Sequence, residues 1–64
     1  MKYKTIRITG FLEADKILGV DGRVYRVGYG MIVTLPKLNA DVFLKRGVAE
    51  PVDEADLFLE EAML

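Results

Sequence analysis

Arginine and tyrosine interleave along one stretch of this chain, at Arg23, Tyr25, Arg26 and Tyr29, and Tyr3 and Arg7 add to the set from the N-terminal segment. Guanidinium groups pair with phosphates and phenol rings stack on bases. Arg7, Arg23, Arg26 and Tyr29 are therefore the residues that would contact a nucleic acid strand. A protein partner would meet Arg23, Arg26 and Tyr29 as well, together with Lys45 and Arg46. A second pattern closes the chain. Ala55, Phe58, Leu59, Ala62 and Met63 recur at i, i+3, i+4, i+7 and i+8, with Leu57 and Leu64 beside them and acids on the remaining positions. That spacing predicts an amphipathic helix over about 54–63. Leu57, Phe58 and Met63 would anchor it in a partner's groove, in a dimer interface, or on the chain's own sheet.

Other chemistries are excluded by what is missing. Cys, His, Ser, Trp and Gln do not occur, and Asn39 is the single Asn. Disulfides and thiolate metal sites are ruled out, as are an imidazole base and the usual acyl-transfer nucleophiles. Carboxylate pairs alone would need a cleft that 64 residues cannot wall. Asp53, Glu54 and Asp56 lack the oxygen spacing and turn glycine of a calcium loop. The expectation is a protein that is not an enzyme and uses no cofactor or metal.

Sixty-four residues make one small domain, of 7.2 kDa, with 52% apolar and 30% charged residues. No run approaches a membrane span, and the N-terminus lacks a signal-peptide core, so a cytoplasmic location is expected. The shortage of amide and sulfur side chains among many charges fits a thermophilic bias. A domain this small needs a staple, and without cysteine the candidates are oligomerisation or very complete packing.

Charge divides along the chain. Residues 1–47 hold all nine basic residues and four acids, a net of +5; residues 48–64 hold six acids and no base, a net of −6. A basic body with an acidic tail suits a nucleic acid or a basic partner. The overall charge of −1 makes nucleic acid the weaker of the two, because phosphate neutralisation supplies most of that affinity.

These residues need elements to position them. Tyr3–Thr9 alternates, with Ile6 and Ile8 on one side, and predicts a strand ended by Gly10. Asp21-Gly22 between apolar runs predicts a hairpin over 17–27 with a two-residue type I′ turn. That turn pairs Val20 with Arg23 and Leu18 with Tyr25. It places Leu18, Val20 and Tyr25 on one face and Ile17, Val24 and Arg26 on the other, each covered in part. Gly28-Tyr29-Gly30 reads as a hinge or bulge, without the third glycine of a dinucleotide loop. Met31–Leu35 is a further strand. Pro36 opens a helix over about 37–46 as its first residue, with Ala40, Phe43 and Leu44 buried and Gly47 as left-handed cap. Residues 48–52 return as a short edge strand, since Pro51 cannot sit centrally. Asp53 suits an N-cap for the closing helix. The sum is an α+β domain over 1–52 with a small, mostly antiparallel sheet and one central helix, followed by an acidic amphipathic helix over 53–64.

Taken in order, Asp21-Gly22-Arg23-Val24-Tyr25, Ile32-Val33-Thr34-Leu35-Pro36, Asn39-Ala40 and Leu44-Lys45-Arg46-Gly47-Val48-Ala49 resemble the small β-rich B domain of archaeal GINS replication proteins. The resemblance covers roughly residues 6–52. It implies a compact β domain with one helix that serves as a protein-interaction module of the replisome, joining GINS to the MCM helicase and a RecJ-like protein. It also implies structural roles for Gly22 in the turn, Pro36 at the helix start and Gly47 in the cap. Arg26, Val27 and Gly28 stand where that family tends to show Gly-Pro-Phe, and the family's large helical A domain has no counterpart in these residues. A similar pattern in small tailed-phage proteins adds a virus- or plasmid-encoded module to the expectations.

Overall fold

A computed structural model describes residues 1–53 of the chain. The predicted helix over about 54–63, with Leu57, Phe58 and Met63, lies outside the described residues. Strand β1 (Tyr3–Ile8) is central in a three-stranded antiparallel sheet, flanked by β4 (Ile32–Pro36) and β5 (Ala49–Pro51). Strands β2 (Lys16–Leu18) and β3 (Val24–Arg26) form a separate antiparallel hairpin. Helix α1 (Lys37–Lys45) joins β4 to β5 and packs against all three strands of the larger sheet. The α+β class with antiparallel pairing holds, with one helix among the described residues and the strands divided between two sheets.

The core follows from alternation. Lys4, Ile6 and Ile8 share one side of β1; Ile6 and Ile8 are fully buried, and Lys4 reaches Asp41 on the helix that covers this side. Leu35 from β4, Ala40 and Phe43 from α1, and Val27 after the hairpin complete the buried cluster, and Ile17, Tyr25, Leu44 and Val48 pack around it. No polar or charged residue is buried among those described. Interior cohesion in this region is therefore apolar, at roughly 1.5–3 kcal/mol for each fully buried aliphatic side chain.

The helix ends are as specific as its stripe. Pro36 is the N-cap rather than the first helical residue, and it is also the last residue of β4, opposite Tyr3; α1 begins at Lys37, as expected. Its ψ of 139° is extended, and its ring, which fixes φ at −51° and carries no N–H, stands at the junction of strand and helix. At the other end the Gly47 N–H donates to the Leu44 carbonyl at 3.1 Å and the Val48 N–H to the Phe43 carbonyl at 3.2 Å. With Gly47 at φ +73°, this is a Schellman motif. Arg46 is the C-cap, and the helix closes at Lys45.

After β1 the chain bulges. The N–H groups of both Thr9 and Gly10 donate to the Val48 carbonyl, at 2.9 and 3.1 Å, so two residues oppose one. A Cβ on Gly10 would stand 2.9 Å from the Val48 backbone, and only glycine permits that approach. The edge position of β5, with Pro51 at its end, is as expected.

Candidate interaction surface

The hairpin departs from the expected turn, and the departure creates its outer face. Ile17 pairs with Tyr25, Leu18 with Val24 and Lys16 with Arg26. The loop holds three residues, Val20-Asp21-Gly22. The Gly19 N–H donates to the Arg23 carbonyl at 2.7 Å, and the Gly22 N–H returns to the Gly19 carbonyl at 3.0 Å. Only Gly22 has positive φ there, at 82°, which is the type I turn plus left-handed glycine of a three-residue hairpin.

Asp21 explains the extra residue. Its Oδ2 accepts from the Tyr3 hydroxyl at 2.8 Å and the Tyr25 hydroxyl at 2.5 Å, and its Oδ1 accepts from the Arg23 N–H at 3.1 Å. A type I′ turn would force Asp21 itself to positive φ, whereas here its carboxylate is held by three donors at negative φ. The Tyr25 hydrogen bond, then that of Tyr3, holds the Asp21 carboxyl below the usual carboxylate range. The same bonds to Asp21 raise both phenols. Gly19 gives this cluster its space: a Cβ there would lie 2.5 Å from Asp21 Oδ1 and 2.7 Å from the Tyr25 ring. The Val20 N–H donates to Asn39 Oδ1 at 2.9 Å and ties the loop to α1.

A one-residue change of register exchanges partners across a hairpin. Ile17 and Tyr25 turn inward onto the core, and Leu18 and Val24 turn outward, 68% and 66% exposed. The expected grouping of Leu18 with Tyr25, and of Ile17 with Val24, is thereby corrected, as is the expectation that both faces are covered. Val20 extends the apolar patch to the tip. Beside it Lys16 and Arg26 stand directly opposite each other. Like charges in that position repel, and neither has an ion-pair partner among the described residues. By contrast Lys4 and Lys37 both hold Asp41, at 3.3 and 2.9 Å, and its carboxyl is lowered, first by Lys37 and then by Lys4.

The remaining expected site residues are dispersed. Arg23 is exposed at the foot of the loop, one position out of alternation with Arg26. Tyr29 is exposed in the turn before β4, where the Met31 N–H donates to the Gly28 carbonyl and Gly30 has φ +81°. Arg7 is on the β1 side away from Ile6 and stands opposite Glu50 of β5. Arg46 lines a groove of about 300 Å³ with Phe11, Ile17, Val27, Phe43 and Val48, and Phe11 at its lip is 88% exposed. Lys45 borders a shallow depression on α1 with Leu38 and Val42. Lys16, Leu18 and Val24 were not singled out as site residues by the sequence patterns. Their only signal was alternation within short strands, which depends on the register.

Among the described residues no group of three or more acidic or metal-ligating side chains could hold a metal ion, and no helix is long and apolar enough to cross a membrane. No family model, curated protein or solved structure matches the chain.

Proposed function

We propose that the protein is a non-enzymatic protein-interaction module and that the outer face of its hairpin is the docking surface. The observation that carries this reading is the pairing of Leu18 with Val24 beside Lys16 with Arg26. An apolar centre bordered by cations with no ion-pair partner among the described residues suits an amphipathic partner segment that brings apolar anchors and carboxylates together. The partner class to test first is an archaeal DNA-replication protein, the class implied by the resemblance of residues 6–52 to the GINS B domain. Nucleic acid binding through Arg7, Arg23, Arg26 and Tyr29 is the competing reading. These four residues are spread over β1, the hairpin and the turn after it.

The test is capture of purified archaeal MCM and RecJ-like proteins on the immobilised full chain, in parallel with single-stranded DNA anisotropy. Expected is retention of one of these proteins, reduced on the order of tenfold or more by Val24→Glu, as for a central apolar anchor. Salt-sensitive DNA binding without protein capture would overturn the reading in favour of nucleic acid.

A further inference from the structure

We infer that the outer hairpin face takes a second copy of this chain: the acidic segment 54–64 of one protomer docks on Lys16, Leu18, Val24 and Arg26 of its partner, and the exchange is reciprocal. The inference rests on the reading of that face as a protein-docking surface and names the segment that fills it until a partner protein displaces it. Charge complementarity is the first argument. Residues 1–53 hold nine basic and six acidic residues, a net of +3, while residues 54–64 hold Glu54, Asp56, Glu60 and Glu61 with no base, a net of −4. The two cations facing each other at Lys16 and Arg26 repel in the free hairpin, and carboxylates from outside relieve that repulsion.

Apolar complementarity is the second. Residues 54–64 include the large apolar side chains Leu57, Phe58, Leu59 and Met63, and Leu18, Val24 and Val20 offer an exposed apolar patch without concentrated charge at its centre. The third argument is size. Six buried hydrophobic side chains form the described core, there is no cysteine, and domains of this length commonly gain stability from association. Val52, whose N–H still donates to the Thr5 carbonyl at 3.2 Å, follows β5, an edge strand of the larger sheet, and among the described residues no strand pairing links that sheet to the hairpin. A two-fold exchange gives the closed symmetry usual for homodimers.

Sedimentation equilibrium of the full chain at low and physiological salt tests this, with circular dichroism to verify that the surface variants stay folded. The expected result is a species of twice 7.2 kDa that weakens with salt. Charge reversal at Lys16→Glu with Arg26→Glu, or at Asp56→Lys with Glu60→Lys, is expected to raise the dissociation constant on the order of tenfold. The two reversals combined are expected to restore it. A monomer at every accessible concentration overturns the inference, as does a dimer indifferent to both reversals. If the chain is monomeric while Val24→Glu still abolishes capture of a replication protein, the docking surface stands and its occupancy by a second copy falls.

Discussion

Asp21 sets both ends of the pH range over which the hairpin is held. Its carboxyl titrates below the ordinary carboxylate value because two phenols and an amide donate to it. An unfolded chain therefore takes up protons first as pH falls through the range below about 4, and stability falls with it. Tyr25 is shifted the other way by the same bond: its phenol is raised, so the stabilisation is intact below about pH 10 and is lost as pH rises through the folded value. Asp21→Asn is expected to lower the melting temperature at pH 7 and to flatten both limbs of a melting temperature–pH profile. An unchanged profile would show that the cluster does not hold the hairpin. Glycine supplies a second test at this scale. Gly47→Ala meets open space but keeps φ +73°, so a cost of about 1 kcal/mol is expected in urea unfolding. Gly19→Ala collides with Asp21 and Tyr25, and is expected to cost more than Gly47→Ala.

At the scale of elements, the hairpin and the helix are linked through one side chain. The Asn39 carbonyl oxygen accepts the Val20 N–H, so Asn39→Ala leaves the loop without its tie to α1. About 1 kcal/mol of lost stability is expected, with faster hydrogen exchange at the Val20 amide as the specific sign. Protection of that amide equal to the parent would remove the proposed link. Helix α1 is held more strongly by its buried stripe. Phe43 packs in the core next to Ile6, Leu35 and Ala40, and Phe43→Ala is expected to cost about 3–5 kcal/mol in chemical denaturation. That is a large part of the stability of a domain this size.

For the whole molecule, the division of labour is between two sheets. The three-stranded sheet and α1 enclose the apolar core, and the hairpin seals that core with Ile17 and Tyr25 while presenting Leu18 and Val24 outward. Val24→Glu is therefore expected to leave the fold intact within about 0.5 kcal/mol, as for an exposed site, while reducing partner capture. Equal losses of stability and binding would instead place Val24 in the fold's own packing.

Periodicity in the sequence was enough for the elements whose signals are local. Alternation at Ile6 and Ile8, the buried Ala40 and Phe43 (with Leu44 only half-buried, against expectation), the Gly47 cap and the edge position of Pro51 each follow from spacing and backbone chemistry within a few residues. The α+β class follows from their order. The hairpin register, by contrast, is set by contacts distant in sequence. Asp21-Gly22 permits either a two-residue or a three-residue loop, and the choice falls to Tyr3 and Tyr25, whose hydroxyls converge on Asp21 from 18 and four positions away. Because side chains alternate along a strand, that long-range contact also decides which of Leu18, Val24, Ile17 and Tyr25 face the core. It brings Lys16 opposite Arg26 and so forms the surface on which the functional reading rests.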